Sequence, residues 1–451
     1  MITYSIIQKS KLKGALRIDA EYYQPEYLSN EQKIKNYKTI FIGDIADIVY
    51  GTTPTGGVFE KDGVPFIRSQ NFLDNLIDDS KLVFCKKDFH IQNKKSNIIP
   101  GDILFAVVGA TIGKLAIVQG KIKEGNINQN IARVRIKNEM FNPYFIGLFF
   151  ASNFGQLQIL RMITGNAQPY LNSDQIKFFI VPNIDIKKQN KIVEDFKKIE
   201  NYLEKSKSLY SQAENLFLEK LELKDFGIKE NLFSIVNLSD VKFANRIDAE
   251  YFQKKYNELI SKIKNKKSKL LGDLVLFKKG IEVGNNEYQE NGKPFIRVSN
   301  ISKNEQNRGE TKFLKEELYK KLKDDFEPRE GEILLTKDAT PGIAYFLKEP
   351  INGIISSGVL RLKLKEKINP EYLTLVLNSI IGQMQMERDT GGSIIIHWRP
   401  EQINRIVIPI LSKNIQEKIA DLVKKSHSAR KKVKQLLEQA KQKVETLIEN
   451  K

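Results

Sequence analysis

This chain carries one stretch of sequence twice, and that duplication limits its fold more than any other feature. Arg17-Ile18-Asp19-Ala20-Glu21-Tyr22-Tyr23-Gln24 returns 229 residues later as Arg246-Ile247-Asp248-Ala249-Glu250-Tyr251-Phe252-Gln253. At the same offset Ile42-Gly43-Asp44-Ile45 answers Leu271-Gly272-Asp273-Leu274, Pro65-Phe66-Ile67-Arg68 answers Pro294-Phe295-Ile296-Arg297, and Ala110-Thr111-Ile112-Gly113 answers Ala339-Thr340-Pro341-Gly342. Further on, Arg133 matches Arg361, Pro182 matches Pro409 and Gln189 matches Gln416, with the offset drifting to 227. Matches in one order at nearly one spacing mark an internal repeat, and a repeat must be recognised before any fold is assigned.

Both copies have the same layout. A mixed region of about 185 residues, a size typical of one domain, contains short apolar runs broken by Gly, Pro, Asn and Asp, which read as strands. In the first copy these are Val64–Arg68, Asp102–Val108, Leu115–Val118 and Ile131–Ile136; in the second, Pro294–Val298, Glu332–Thr336, Ile343–Leu347 and Val359–Leu364. Each region closes on a short strand ending in proline, Phe179–Pro182 or Ile406–Pro409. The expected fold class is therefore mixed α/β, with two similar globular domains in tandem over residues 1–184 and 224–412.

After each proline the period changes. Ile192, Phe196, Ile199, Leu203 and Tyr210 in segment 185–223, and Ile419, Leu422 or Val423, Ser426, Val433 and Leu436 or Leu437 in segment 413–451, recur at steps of three, four and seven on a charged background. That is the pattern of a helix with one apolar stripe. No Pro or Gly interrupts either run before Gly227, so each is expected to be continuous, about 36 residues and roughly 55 Å long. The stripe outlasts the face of a compact domain. The expectation is that the two helices pair as an antiparallel coiled-coil spacer with pseudo-twofold symmetry; the alternative is that each packs on its own globular region.

Composition narrows the partners. Lys and Arg number 73 against 55 Asp and Glu, a formal charge of +18, which points to a polyanion. The lysines are spread along the chain rather than gathered on one amphipathic helix, which argues against a membrane surface. No apolar run is long enough to cross a bilayer, and the N-terminus has no basic-then-apolar leader. A single cysteine, Cys85, excludes an internal disulfide and fits a reducing, cytoplasmic setting. Three scattered histidines, His90, His397 and His427, argue against a histidine-rich metal site. Two basic modules on a helical ruler suit duplex DNA, whose half-sites lie about one helical turn, roughly 34 Å, apart. The copies differ most in loops: Thr52–Glu60 against Ile281–Glu290, and Gly165–Tyr170 against Gly391–Trp398. This is the pattern of a shared scaffold with private specificity.

The paired Arg-Ile-Asp-Ala-Glu-Tyr segments carry a family resemblance, together with Gly101-Asp102-Ile103-Leu104 and its partner Gly331-Glu332-Ile333-Leu334, and with Thr164-Gly165-Asn166-Ala167-Gln168-Pro169-Tyr170-Leu171. Gln189-Asn190-Lys191-Ile192 and Gln416-Glu417-Lys418-Ile419, which open the long helices, belong to the same set. The chain resembles a specificity subunit of type I restriction–modification systems over essentially its whole length, in the order target-recognition domain, helix, target-recognition domain, helix. The resemblance implies a non-catalytic DNA-reading scaffold without a cofactor. It also implies docking of two adenine-N6 methyltransferase subunits and of restriction subunits, and an asymmetric bipartite target. The second copy departs at Gly391–Trp398, where Gln168-Pro169 has no counterpart.

Catalytic signatures are weak. Gly109-Ala110-Thr111-Ile112-Gly113-Lys114 looks like a phosphate loop, but it has three residues between its glycines where four are needed, and Leu115 follows the lysine. A turn between strands fits better, with Thr111 and Lys114 available to a DNA phosphate. Asn142-Pro143-Tyr144 echoes an adenine-holding methyltransferase loop, yet its counterpart Asn369-Pro370-Glu371-Tyr372 reads as a helix start. No carboxylate spacing suggests a nuclease metal site. The recurring Arg-x-Asp-x-Glu-Tyr reads as an ion-pair and capping cluster, with a docking contact as its functional alternative. A fused methyltransferase or nuclease, and a helical protein adaptor, remain the rival classes.

Base readers are expected in loops, as Arg on guanine and Asn or Gln on adenine. The candidates are Arg68, Gln70, Asn71, Asn166, Gln168 and Tyr170 in the first copy, and Arg297, Asn300, Lys337, His397, Trp398 and Arg399 in the second. Positions shared by both copies should fix orientation, and unshared ones should specify sequence.

Overall fold

A computed structural model gives the fold and describes every residue except 1–3, 10, 11, 13–17, 58, 164–168, 225, 228–232, 305–310, 391–396 and 451, with Lys81 and Phe243 described in backbone only. The chain forms two compact units. One comprises Met1–Leu203 with Lys431–Lys451, the other Glu204–Arg430. Each unit therefore gathers one globular lobe with a stretch of each long helix.

In the first unit, strands Ala46–Tyr50, Ile131–Ile136, Ile103–Ala106, Leu115–Ile117, Leu76–Ile77 and Phe72–Leu73 lie side by side in that order. A second sheet runs Val83–Cys85, Val64–Ile67, Gly125–Ile127, Asn97–Ile98, and Thr39–Phe41 pairs with Ile180–Pro182. The second unit repeats the scheme. Its sheets run Val275–Lys279, Val359–Leu364, Ile333–Thr336, Ala344–Phe346, and Tyr288–Gln289, Lys312–Leu314, Lys293–Ile296, Ile354–Ile355, with Ser268–Leu270 on Val407–Pro409. Directions match as well: the central pairs are antiparallel, and Val64–Ile67 on Gly125–Ile127, like Lys293–Ile296 on Ile354–Ile355, is parallel. The strands expected from sequence are present within one or two residues at their ends.

Repeated residues explain the repeated folding. Asn142 accepts from the Tyr144 and Phe145 amides at 3.0 and 3.4 Å and starts the helix Pro143–Ala151; Asn369 does the same with Glu371 and Tyr372 at the start of Pro370–Asn378. These are N-caps with proline at the first position, not substrate loops. The buried Gln189 accepts from the Asn142 amide at 2.8 Å and donates to Met140 and Ile184 carbonyls. Gln416 accepts from the Asn369 amide at 3.1 Å and donates to Leu411. So the glutamine opening each long helix ties it to the cap of the lobe's own helix. Gly51 and Gly280 are also 229 apart, and at each a side-chain carbon would sit 2.1 Å from a backbone oxygen of the facing strand end, Ile127 or Ser356.

Cores are dense with aromatic and branched residues. Phe145, Phe149 and Phe150 are fully buried, each contributing about 1.5–3 kcal/mol relative to exposure. Buried arginines are paired differently in the two lobes. Arg361 holds Glu332 through both oxygens at 2.7 and 2.8 Å. In the first lobe the shorter Asp102 takes Arg135, two residues further along the strand, at 2.8 Å, and Arg133 turns to Asp47.

The first long helical segment is not continuous. It breaks at Glu194 and Asp195 into Ile186–Val193 and Phe196–Lys220. Aspartate is a poor interior helix residue and a good starter, and Asp195 here takes Lys198 at 2.7 Å and Lys443 at 3.0 Å. The C-terminal helix runs unbroken over Lys413–Glu449. In the first unit Ile192, Phe196, Ile199 and Leu203 share a core with Val433 and Leu437 and with the lobe's Ile103 and Phe145. In the second, Ala213 and Phe217 share a core with Ile419 and Val423, and Leu422 packs against it half-buried. There Ser426 donates to the Ser206 carbonyl at 2.6 Å. Each stripe thus packs on the other helix and on the lobe together.

Candidate nucleic-acid interface

A chain of backbone hydrogen bonds sets out one edge of each lobe. In the first, the Ile67 carbonyl accepts from Asn128, the Asn130 carbonyl from Val107, and the Val107 carbonyl from Leu171, at 3.3, 2.9 and 3.0 Å. In the second, Ile296 accepts from Ser356, Gly358 from Lys337, and Lys337 from Trp398, at 2.8, 2.9 and 2.8 Å. This frame brings together three loops: the turn after Ile67 or Ile296, the start of the hairpin after Ala106 or Thr336, and the segment arriving from Tyr170 or His397.

The turn after the strand carries Arg68, Gln70 and Asn71, or Arg297, Ser299 and Asn300. The Asn71 amide oxygen accepts from the Arg68 N–H at 2.9 Å, and the Asn300 oxygen from the Arg297 N–H at 3.0 Å. Both asparagines are buried. This corrects the expectation that they read bases: each closes its own turn, and its amide edge is not presented to a groove. Gln70 is exposed, and the Arg68 guanidinium stands over the Phe59 ring at 5.4 Å.

Thr111 and Lys114 lie on the hairpin joining Ile103–Ala106 to Leu115–Ile117. Gly109 and Gly113 take positive φ of 85° and 81°, and the Ile112 and Lys114 amides bond back to Gly109 and Thr111. A strand follows rather than a helix, so the phosphate-loop likeness ends there and the turn reading holds. Lys114 is exposed. In the second lobe the Thr336 hydroxyl closes the equivalent turn onto the Thr340 carbonyl at 2.7 Å, and Ala339 takes a φ of 58°.

The segments from Tyr170 and His397 make isolated bridges to the hairpin mouth, Val108 with Tyr170 and Asp338 with His397. Tyr170 is 47% exposed beside a similarly exposed Val108. Asn166 and Gln168 lie outside the described residues. In the second lobe the bridge is charged: Asp338 takes Lys337 at 2.6 Å and His397 Nδ1 at 2.9 Å. Burial pushes the Asp338 carboxyl up, but the bonds from Lys337 and His397 outweigh it and hold the group below the usual range. Lys337 is thus buried and committed to Asp338, which sequence reasoning overlooked although it stands next to a chosen candidate. The Val298 side chain packs at Gly358 close to Asp338, so the Arg297 turn and the Lys337–Asp338–His397 group share one edge.

Trp398 is also corrected. It is 1% exposed, and its indole N–H donates to Asp389 at 3.1 Å. Like Leu171 in the first lobe it belongs to the buried core and is not a surface reader. Arg399 is exposed and starts the short helix Pro400–Asn404. In the second lobe the Arg-x-Asp-x-Glu-Tyr segment is an ion-pair cluster that closes a turn rather than capping a helix: Arg246 grips Asp248 at 2.7 and 2.8 Å, Asp248 accepts from the Tyr251 amide, and Arg388 stacks on the Tyr251 ring at 4.3 Å. In the first lobe Arg161 stacks on Tyr22 at 4.1 Å and donates to its carbonyl at 2.8 Å. Among the described residues no group of His, Cys, Asp and Glu is arranged to hold a metal, and no helix is long and apolar enough to cross a membrane.

Comparison with known proteins fits this duplicated frame. The model of the type I restriction modification DNA specificity domain matches residues 34–215 and again 263–442, once on each copy. The chain belongs to this family. A curated relative, the EcoBI specificity subunit of a type I restriction enzyme from Escherichia coli, is 26% identical over 202 residues, covering 42% of this chain and 41% of that one. A putative MjaX specificity subunit from Methanocaldococcus jannaschii is 27% identical over 188 residues, covering 40% and 44%. The chain therefore matches about two fifths of the length of these specificity subunits. A solved type I S subunit from M. genitalium aligns over 92% of this chain and 95% of its own, at 15% identity and a TM-score of 0.40.

Proposed function

We propose that this specificity-domain chain is the non-catalytic DNA-reading subunit of a cytoplasmic type I restriction–modification complex. Residues 1–184 and 224–412 are its two target-recognition domains, and segments 185–223 and 413–451 its spacer. The observation that carries this reading is the hydrogen-bond frame present in both lobes with different side chains on it. Beside the shared Arg68 or Arg297 and Thr111 or Thr340, one backbone presents Gln70, Lys114 and Tyr170 in one lobe, and His397 and Arg399 in the other. Such a pair reads two different half-sites, giving an asymmetric bipartite target. The spacer is read as antiparallel because Asp195 meets Lys443 while Ser206 meets Ser426, so numbers rise on one helix as they fall on the other. Adenine-N6 methyltransferase subunits dock on this scaffold, restriction subunits join them, and the chemistry is theirs.

The test is to map adenine methylation in a host carrying this chain with its methyltransferase. The expected result is one bipartite motif that changes when this chain is exchanged. A continuous motif, or one independent of the chain, would refute the reading. Incubating the chain alone with DNA and S-adenosylmethionine or magnesium separates it from an enzyme, and a mobility shift that weakens steeply with salt separates it from a protein adaptor.

A further inference from the structure

The repeat reaches further upstream than its conspicuous motif. Tyr4-Ser5-Ile6-Ile7 and Phe233-Ser234-Ile235-Val236 stand 229 residues apart. Among the described residues, the six most exposed large apolar side chains are three repeat-related pairs: Tyr4 with Phe233, both 79% exposed, Ile6 with Ile235 at 88% and 92%, and Ile18 with Ile247 at 84% and 87%. No other large apolar side chain among the described residues exceeds 67%. The smaller neighbour agrees too, since Ile7 and Val236 are both half-buried. The first arm is pinned rather than loose: the Ser5 hydroxyl donates to the carbonyl of the buried Tyr23. That anchor leaves the residues on either side of the serine facing outward.

Isolated exposed apolar residues need no explanation. The same three positions left bare in both copies do, because the copies have diverged on the loops proposed to read DNA. A surface kept alike in two places serves something that binds alike in two places. DNA is not that partner, since the half-sites differ and the charge at the arms is not shared: Lys9 of the first arm is Leu238 in the second.

We propose that these are two docking arms, each inserting an aromatic ring and the isoleucine two residues on into an apolar cleft of one partner subunit, with the isoleucine of the Arg-Ile-Asp segment at the rim. The partner is a protein present in two identical copies. Given the function proposed above, on which this assignment rests, it is the methyltransferase subunit.

The experiment uses the full chain co-expressed with the methyltransferase subunit of its proposed complex, with stoichiometry read by native mass spectrometry. The wild type should carry two copies. Tyr4→Ser with Ile6→Ser should carry one, Phe233→Ser with Ile235→Ser should carry one, and the fourfold variant none, each lost copy reflecting at least about tenfold weaker binding, as for truncation of a buried anchor. These side chains are exposed in the chain alone, so its unfolding temperature and its DNA mobility shift should not change. A fourfold variant that keeps both copies overturns the proposal, as does a wild-type chain that binds no methyltransferase. Self-association abolished by the substitutions, with methyltransferase binding intact, assigns the arms to a second copy of this chain and also overturns it. If the unaltered chain fails to shift DNA while the arm variants still lose methyltransferase copies, the recognition function fails and the arms stand.

Discussion

Val108 and Tyr170 bridge the hairpin mouth of the first lobe, and Asp338 and His397 bridge it in the second. Around both bridges the backbone bonds are the same, Leu171 to Val107 and Trp398 to Lys337. Because main-chain groups make every link of the frame, side chains facing outward from it are free to change. One lobe presents an aromatic and apolar edge, the other a cation–carboxylate–imidazole group. At the other end of the same strands, where side chains do the linking, change is coupled instead. Lengthening Asp102 to its counterpart Glu332 goes with a different arginine partner, Arg361 in place of Arg135. This fold thus separates what can vary singly from what must vary in pairs.

The buried pairs give the largest expected effect. Glu332→Gln leaves Arg361, which is 6% exposed in its side chain, without its counter-charge. It should destabilise the second unit by about 3–5 kcal/mol, the cost of breaking a buried ion pair. Asp102→Asn should cost the first unit less, about 1–2 kcal/mol, because Arg135 is 24% exposed in its side chain and Arg133 keeps Asp47. Denaturant unfolding of the full chain, with hydrogen exchange to locate the loss, measures both. Equal costs would contradict the coupled-pair view.

The joint between lobe and helix differs between copies as well. Where the first lobe has Glu200 accepting the Gly120 amide, the second has His427 beside Lys348, whose ammonium lies 3.1 Å from the ring and 2.6 Å from the fully buried Glu371. Burial, and then Lys348, push the imidazole down to about 4 from 6.5. The folded state therefore resists a proton that the unfolded chain accepts. Above pH 6.5 both states are neutral and stability is complete; as pH falls from 6.5 toward 4 the unfolded state gains protons first, and about 3 kcal/mol is lost. A pH series of unfolding free energies should show this loss, and His427→Gln should flatten it. An unchanged slope in that variant would place the sensitivity elsewhere.

Sequence reasoning recovered the strands and the paired architecture because periodicity and an internal repeat report backbone structure directly. It also selected Gln189 and Gln416, though their work of tying helix to cap emerged only from the hydrogen bonds. It missed the break at Glu194 and Asp195, since the apolar stripe continues across it and no proline or glycine marks it. The candidate site was harder to read. Asn71, Asn300 and Trp398 belong to residue types that read bases or stack on them, yet each is turned inward by a local bond that composition does not reveal. Asp338 went unnoticed because its role comes from His397, 59 positions away in sequence. The paired glycines Gly51 and Gly280 were visible at the repeat offset, and only the facing backbone shows why they are glycine.

The smallest expected effects are at the surface, and they bear most directly on the comparison. Arg68 and Arg297 occupy equivalent turns, so Arg68→Ala and Arg297→Ala should weaken binding alike for all DNA sequences and lower the salt dependence by about one counterion each, as loss of a phosphate contact does. Tyr170 and His397 are not alike, so their loss should be local in sequence. Tyr170→Ala and His397→Ala should each cost about 1–2 kcal/mol of discrimination, at one half-site only and at a different one for each. Titrating a panel of duplexes with single base-pair changes separates the two behaviours. If an arginine variant alters preference at one position, or a bridge variant weakens every duplex equally, then the shared positions specify and the private ones merely hold. The division between frame and edge would then have to be drawn the other way round.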